Sequence, residues 1–234
     1  MDYSDAGVDI EASDSAVGAL ADELDLSHGD YAGLVELGGY ALGLTTDGVG
    51  TKILVAEALD DYTTVGIDCI AMNANDLIAM NVEPIAFVDY LVVEEPDKDV
   101  SREIGEGLDE GARRAGVSVV GGETAVMPEA VDGVDLAGSC LGVGEPEGVI
   151  DGSDVEVGDA VVGFPSSGIH SNGLTLARKA VKRRYDYGDE LPYDSRTIGE
   201  ELLEPTRIYT EALEIADSFE VRGVAHITGG GYTN

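Results

Sequence analysis

An apolar segment that also carries acidic side chains constrains the fold of this 234-residue chain more than any other feature. Residues 66–80 follow a helical pattern and are largely apolar, which predicts a helix buried inside a domain. Yet Asp68, Asn75 and Asp76 stand at i, i+7 and i+8, positions that share one helical face. Buried carboxylates are costly unless they are paired or bind a metal, so we favour a binding site over a polar stripe satisfied by the backbone.

A third acid strengthens this interpretation. Asp47 follows a predicted strand over residues 40–46, at an Asp-Gly turn. Ligation of one hard cation by Asp47, Asp68 and Asp76 would offset the cost of burying them, and Mg²⁺ favours carboxylates together with phosphate oxygens. The sequence therefore predicts a magnesium site formed by these three residues.

The charge of the chain excludes several kinds of partner. Asp and Glu number 47 against 13 Lys and Arg, a formal net charge of −34, while 44% of residues are hydrophobic, as in a globular protein. Nucleic acid and anionic membranes are excluded as main partners because both need clustered cations. The acids are spread along the chain, which favours adaptation to concentrated salt over an acidic partner-binding surface.

With no leader-like or membrane-spanning apolar run, we expect a cytoplasmic protein.

Helix and strand patterns alternate along the chain and predict a mixed α/β fold. The predicted strands are residues 40–46, 85–93, 117–120, 136–143, 160–164 and 221–228. The predicted helices are residues 66–80, 99–116, 171–184 and 205–218, with Asp99 and Gly116 as the caps of the second. The segment 144–158 is rich in Gly, Glu and Asp, which predicts a boundary between domains spanning 1–150 and 151–234.

Glycine-rich segments supply further candidate residues. The segment 45–52 (TTDGVGTK) lacks Walker spacing, so it fits either a metal–nucleotide loop or a hairpin turn with a surface lysine. Glu123 follows two glycines in a predicted turn. The segment 165–173 (PSSGIHSNG) precedes a predicted helix, where free N–H groups bind anions, and His170 there is either a functional or a structural histidine. Cys69 and Cys140 are isolated and predicted to be buried thiols.

Taken in order, these segments resemble the AIR-synthetase (phosphoribosylaminoimidazole synthetase) family. The resemblance spans almost the whole chain. The motifs are DAGVDI (5–10), TDGVGTK (46–52), GIDCIAMNANDL (66–77), EPIAFVDY (83–90), VGGETAVMP (120–128), DLAGSCLGV (135–143), SSGIHSNG (166–173), LLEPTRIY (202–209) and AHITGGG (225–231). No single motif is decisive, but the ordered series is highly specific.

The resemblance implies a two-domain fold of the AIR-synthetase-like ATP-binding superfamily and a homodimer whose N-terminal domains form a shared barrel. It implies ATP-dependent ring closure of formylglycinamidine ribonucleotide to aminoimidazole ribonucleotide in purine biosynthesis, with Mg²⁺ and, as a further ion, K⁺. Implied Mg²⁺–ATP ligands are Asp47 and Asp76, with Asp68 a weaker third. Implied catalytic residues are His170, Asp76 and Glu123. Implied nucleotide- and substrate-binding residues are Asp47, Gly48, Gly50, Thr51, Lys52, Asn75, Ser167 and Gly168.

Three departures from the family pattern keep alternatives open. Residues 19–26 lack the family's basic stretch, Val126 and Glu129 alter the GGETAEMPG motif, and family members continue past the glycine loop at 229–231. A sister enzyme (thiamine-monophosphate kinase or selenophosphate synthetase) is one alternative. A non-catalytic fragment that binds nucleotide or dimerises is another.

Overall fold

The structure is a computed structural model that describes residues 5–7, 9–24 and 31–233. Its helices are α1 (Ile10–Leu24), α2 (Ile53–Leu59), α3 (Val65–Ala79), α4 (Lys98–Ala115), α5 (Leu174–Val181), α6 (Ile198–Leu202) and α7 (Glu211–Ser218). Its strands are β1 (Gly33–Leu37), β2 (Tyr40–Gly48), β3 (Glu83–Val93), β4 (Ser118–Val126) and β5 (Val134–Gly144). The mixed α/β class predicted from the sequence is confirmed.

The five strands form one sheet in the order β1-β2-β5-β3-β4. All neighbours are antiparallel except β3 and β4, which are parallel and are joined through α4 as a β-α-β unit. Helix α3 packs against β2, β5 and β3, and α4 packs on α3. The core therefore lies between one face of the sheet and these two helices.

Helix α3 has the central place that its apolar composition predicts, since every residue from Val65 to Ala79 except Asp76 is buried. Glycines allow α4 to approach it closely. A Cβ on Gly66 would collide with the backbone of Leu108, and one on Gly107 would lie 2.7 Å from the Thr63 carbonyl oxygen. Close contact at this crossing fixes α3 relative to the sheet and hence the direction of its polar face.

Helix α4 shows how local signals set an element's ends. Asp97, not the predicted Asp99, caps its start by accepting from the backbone N–H of Asp99 and Val100. Gly116 ends it as predicted, in the left-handed conformation with φ of 69°.

Four predicted elements differ from the structure. The turn expected at Gly121–Gly122 is strand, because β4 continues to Val126 in parallel register with β3. Residues 160–164 and 221–228 contain no strand. The helix expected over 205–218 begins only at Glu211, and residues 204–209 are held in an extended loop by α3, as described below.

The two cysteines, Cys69 and Cys140, are buried free thiols, as predicted. His28 stands among polar residues in the sequence, which predicts a surface position, and it lies outside the described residues. Within residues 5–7, 9–24 and 31–233, no helix is long and apolar enough to cross a membrane.

Candidate active site

The polar face of α3 organises the candidate site. Asp68, Asn75 and Asp76 project from it as the sequence spacing predicts, and each reaches a segment more than 130 residues further along the chain. Asp68 and Asn75 hold the loop 204–209, whereas Asp76 contacts His226. One buried helix thereby connects two distant segments of the C-terminal half.

A buried ion pair lies at the first turn of this helix. Lys52 Nζ donates to Asp68 Oδ1 at 2.9 Å, and neither side chain is exposed. The same oxygen accepts from the Thr206 amide at 2.8 Å and from the Thr206 hydroxyl at 2.6 Å. Lys52 also donates to the carbonyl oxygen of Glu204. Of the two interpretations of segment 45–52, the hairpin turn with a surface lysine is wrong, because Lys52 is enclosed and anchors the loop 204–206.

Burial shifts both members of this pair toward their neutral forms. It raises the pKa of Asp68 and lowers the pKa of Lys52, while the charge of each opposes the shift of the other. Asp68 Oδ2 is buried and has no hydrogen-bond partner. Removing either partner would leave an uncompensated buried charge, which is strongly destabilising. The pair therefore holds the loop firmly in place.

Asn75 fixes the next residues of the same loop. Its Nδ2 donates to the carbonyl oxygen of Arg207 at 2.8 Å, and its Oδ1 accepts from the amide of Tyr209 at 3.0 Å. Both ends of the amide are used, so neither Asp nor Leu could replace it without loss. Together with Asp68, it sets the path of the chain through 204–209.

His170 sits against this loop. Its Nε2 lies 3.1 Å from Ser166 Oγ, 3.4 Å from the amide nitrogen of Ser167 and 3.4 Å from that of Arg207. Two backbone N–H donors at one nitrogen require a lone pair there, so the neutral ring carries its proton on Nδ1.

The environment keeps His170 neutral near pH 7. Burial, and then the nearby charges of Lys52 and His226, lower the pKa of His170 from 6.5 to about 4. The ring therefore accepts these hydrogen bonds at Nε2 and does not contribute a positive charge.

A second cluster joins the end of β2 to the other end of the polar face. His226 Nδ1 lies 2.9 Å from Asp76 Oδ1, with the two side chains 11% and 21% exposed. Burial raises the pKa of Asp47, and the charge of Asp76 raises it further, whereas His226 and a 2.7 Å hydrogen bond from Gly48 N–H lower it. Asp47 and Asp76 therefore share one partly buried, acidic site.

The three acids predicted to bind one metal are divided between these two places. Asp47 and Asp76 are brought together, but Asp68 is paired with Lys52. In the part of the chain that the structure describes, no three His, Cys, Asp or Glu side chains form a group that could hold a metal. Glu123 lies exposed on β4 opposite Tyr90, and the hydrogen bonds of the described residues do not connect it to either cluster.

The remaining predicted residues lie around the clusters. Gly50, at φ of 67°, starts the 3-10 turn that ends at Lys52, and Thr51 Oγ1 lies 2.7 Å from Thr175 Oγ1 at the start of α5. Gly168 also has a positive φ, of 51°, where a Cβ would lie 2.7 Å from the Cβ of Glu204. Ser167 donates to the carbonyl oxygen of Pro205 at 2.7 Å, so it faces the same loop as Asp68.

Sequence reasoning did not single out His226, Thr206 or Arg207. All three lie in segments that resemble family motifs, AHITGGG and LLEPTRIY. Neither segment taken alone indicates a particular chemistry. Their contacts with Asp76, Asp68 and Asn75 span 132 to 150 residues. Only the fold reveals these partners.

Comparison with family models identifies both halves of the chain. Residues 29–144 match the AIR synthase related protein, N-terminal domain. Residues 156–234 match the AIR synthase related protein, C-terminal domain.

Curated relatives are about 50% identical to the chain over the aligned residues. A phosphoribosylformylglycinamidine cyclo-ligase of Methanosarcina acetivorans is 51% identical over 99% of this chain and 73% of its own length. One of Pyrococcus furiosus is 50% identical over 100% of this chain and 74% of its own length.

Solved structures share the fold at lower identity. A thiamine monophosphate kinase of Aquifex aeolicus aligns with a TM-score of 0.63 at 19% identity, over 86% of this chain and 64% of that protein. A complex of AaThiL with AMPPCP and TMP aligns with a TM-score of 0.59 at 19% identity, over 87% of this chain and 60% of that one.

Proposed function

This chain belongs to the phosphoribosylformylglycinamidine cyclo-ligase family, and from that premise we propose that it closes the imidazole ring of formylglycinamidine ribonucleotide at the expense of ATP. The products are aminoimidazole ribonucleotide, ADP and phosphate, which makes the protein a C–N bond-forming ligase of purine biosynthesis. Roughly 50% identity over nearly the whole chain supports this reaction over that of the kinases, which share the fold at 19% identity.

The observation that carries the proposal is the arrangement around α3. One face of a buried helix places the Asp47–Asp76–His226 cluster and the His170 loop on the same side of the core. A reaction between ATP and a second substrate requires two adjoining subsites held in fixed relation, because positioning supplies much of the rate acceleration. A rigid helix meets that requirement.

We assign Mg²⁺–ATP to the acidic cluster. Asp47 and Asp76 fit the ion, since Mg²⁺ is bound in such sites by one or two carboxylates and completed by phosphate oxygens and water. The raised pKa of Asp47 reflects burial and repulsion by Asp76, both of which a cation would relieve. When bound, the ion neutralises charge on the transferring phosphoryl group. Asp68, already paired with Lys52, is assigned to positioning the loop.

We assign the ring-closing substrate to the His170 side. Neutral His170 carries its proton on Nδ1 and can donate this N–H to an acceptor atom of the substrate, while Nε2 accepts from donors within the protein. Ser166 and the amides of Ser167 and Arg207 converge on the same nitrogen and orient the ring.

A product assay tests the reaction. The purified chain is incubated with Mg²⁺–ATP and formylglycinamidine ribonucleotide in high and low KCl, with NaCl as the matched control for a K⁺ requirement. We expect aminoimidazole ribonucleotide to form, measured colorimetrically. ADP release without that substrate would indicate a sister activity, and the absence of both products would indicate a non-catalytic fragment.

We also propose a homodimer formed through the open face of the sheet. Large apolar side chains lie exposed on this face on neighbouring strands, among them Leu44, Val88 and Tyr90 at 58%, 40% and 45% exposure. Contiguous exposed apolar surface marks an interaction site. Val88→Asp should turn a dimer into a monomer in light scattering, while Val157→Asp, an equally apolar exposed residue outside the sheet, should leave the dimer intact.

The acidic surface is proposed as an adaptation to concentrated salt in the cytoplasm. In a chain of net charge −34 the acidic side chains repel one another. Salt at about 1 M reduces the Debye length to about 3 Å and so screens this repulsion. We expect the free energy of unfolding to rise with KCl concentration. A constant value across that range would contradict the adaptation.

A further inference from the structure

A cavity beside His170 is not used by the chemistry described so far. It lies between the C-terminal end of α4 and the loop 204–208 and has a volume of about 300 Å³. Its lining residues are Arg114, Ser167, Glu204, Pro205, Arg207 and Ile208. Two of these six residues are arginines, in a chain that has 13 Lys and Arg against 47 Asp and Glu.

The cavity lining carries two arginines and one carboxylate, and both arginines are ion-paired with glutamates outside the lining, Arg114 with Glu110 and Arg207 with Glu211. Glu204 is the one carboxylate among the lining residues, and it already accepts from Arg196 at 3.3 Å. Arg114 Nε donates to Glu110 at 2.6 Å, which leaves its two terminal nitrogens free of the bonds found for the described residues. Arg114 therefore presents unused donors beside the cavity.

The second arginine is held in place by its neighbours. Arg207 Nη1 donates to the carbonyl oxygen of Pro165 at 3.0 Å, and Nη2 pairs with Glu211. Its guanidinium lies 5.3 Å from the centre of the Tyr209 ring. Asn75 fixes the carbonyl of the same residue, so the arginine is preorganised by backbone and side chain together.

The cavity adjoins the proposed reaction site through shared residues. The amides of Ser167 and Arg207, which both line the cavity, lie 3.4 Å from His170 Nε2. A ligand anchored in the cavity by an anionic group would therefore extend its other end toward His170. The Asp47–Asp76 cluster, assigned to ATP, is a separate group of residues, and neither of these acids lines the cavity.

We propose that this cavity binds the 5′-phosphate of the ribonucleotide substrate, with Arg207 and Arg114 as its ligands. The inference rests on the proposed function for the identity of the substrate. Guanidinium groups match phosphate oxygens with paired N–H donors, and they are the groups that recognise phosphate when planar, directed bonds are needed. In a chain of net charge −34, such local cations also offset the repulsion that a phosphate meets on approach.

The test measures binding without turnover. Ribose 5-phosphate is titrated into the full chain in a calorimeter, with unphosphorylated ribose as the control ligand. We expect Arg207→Gln to weaken binding of ribose 5-phosphate by about tenfold and Arg114→Gln, on a half-exposed side chain, by about threefold. Arg102→Gln is the matched control, because Arg102 lies on α4, pairs with Glu106 and does not line the cavity, and it should bind like the wild type.

Two further measurements separate the sources of the phosphate signal. Inorganic phosphate should bind more weakly than ribose 5-phosphate, and a non-hydrolysable ATP analogue should leave the affinity for ribose 5-phosphate unchanged. Competition between the analogue and ribose 5-phosphate would overturn the assignment, since the cavity would then belong to the nucleotide. Absence of ribose 5-phosphate binding by the wild-type chain would overturn it as well.

Separate controls test whether each variant folds and whether the proposed function holds without this cavity. Arg207→Lys keeps the charge and should retain more affinity than Arg207→Gln, and circular dichroism verifies that each variant folds. If aminoimidazole ribonucleotide forms with an unchanged KM in both Gln variants, the proposed function stands and this inference fails. If the chain forms no product but binds ribose 5-phosphate through the two arginines, the cavity stands and the proposed function fails.

Discussion

Asp68 and Asp76 lie eight residues apart on one face of α3, and the structure gives them opposite surroundings. Asp68 is fully enclosed, paired with Lys52 and bonded to the backbone and hydroxyl of Thr206. Asp76 is 21% exposed, contacts His226 and faces Asp47. The same residue type on the same helix thus has two environments, one enclosed and one at the partly exposed site that we propose for Mg²⁺–ATP.

The difference follows from access to solvent and from the partner. A buried carboxylate with a buried cation is satisfied within the protein, and breaking that pair is expensive. Two neighbouring carboxylates at a partly exposed edge offer oxygen ligands to a cation. Burial and partner, more than residue type, are therefore the basis on which we assign Asp76 and not Asp68 to the reaction.

Lys52→Met gives the largest expected effect. It leaves Asp68 buried without a cation and should lower the free energy of unfolding by about 3 to 5 kcal/mol in urea titrations. Arg102→Met, which removes an exposed pair with Glu106, should cost less than about 1 kcal/mol. If Lys52→Met stayed within that smaller range, the buried pair would not be what anchors the loop. Adding Asp68→Leu should recover part of the loss.

Asp76→Asn should separate chemistry from stability. It removes charge from the proposed metal site but keeps size and shape, so turnover should fall at least about 100-fold, or about 2.7 kcal/mol in the barrier. The free energy of unfolding should change by less than about 1 kcal/mol, since Asp76 is partly exposed. Aminoimidazole ribonucleotide formation and urea unfolding are both measured. Near-normal turnover would remove Asp76 from the site.

Asn75→Ala tests whether the positioning function extends along the helix face. It removes two hydrogen bonds to the loop and should lower the free energy of unfolding by about 2 kcal/mol. Exchange of the Tyr209 amide hydrogen should speed up with it. Unchanged exchange at Tyr209 would show that Asp68 alone holds the loop.

His170 gives the smallest expected effect, and it depends on pH. Because the pKa of His170 is lowered from 6.5 to about 4 in the folded state, the unfolded state binds more protons between these values. The stabilisation is therefore complete above pH 6.5 and is lost as the pH falls toward 4. The ring is only half-buried, so we expect about 1 to 2 kcal/mol, less than the full shift would give.

The measurement compares two proteins because many acids titrate in the same range. Wild type and His170→Gln are unfolded in urea at constant KCl from pH 7 to pH 4. The wild type should lose more stability than the variant on acidification. If the free energy of unfolding fell equally with pH in both proteins, the folded protein would not disfavour protonation of His170.

Sequence patterns predicted the central elements well and the C-terminal part poorly. Strands β2, β3 and β5 and helices α3 and α4 were all expected, because apolar periodicity there reflects burial of one face of each element in the core. Residues 160–164 and 221–228 have apolar runs typical of strands but no strand partner within the described residues. Val161 and Val162 are accordingly 96% and 77% exposed. A strand needs a partner, and the local pattern does not supply one.

The candidate site was predicted in part for the same reason. Helical spacing correctly placed Asp68, Asn75 and Asp76 on one face, and glycines marked the loops at 48–50 and 168. The partners of that face were not predictable from spacing, since Lys52, Thr206 and His226 reach it through tertiary contacts.

By itself, the sequence determined that a buried helix with a polar face lies at the centre of a mixed α/β protein, and that its acids need compensation. Those conclusions follow from periodicity and from the cost of burying charge, which are properties of a short segment. Only the tertiary structure decided that Lys52 compensates Asp68, while Asp76 lies with Asp47 and His226. The pKa of a carboxyl and the partner of a side chain depend on what the rest of the chain brings within a few ångströms, and no local pattern contains that distance.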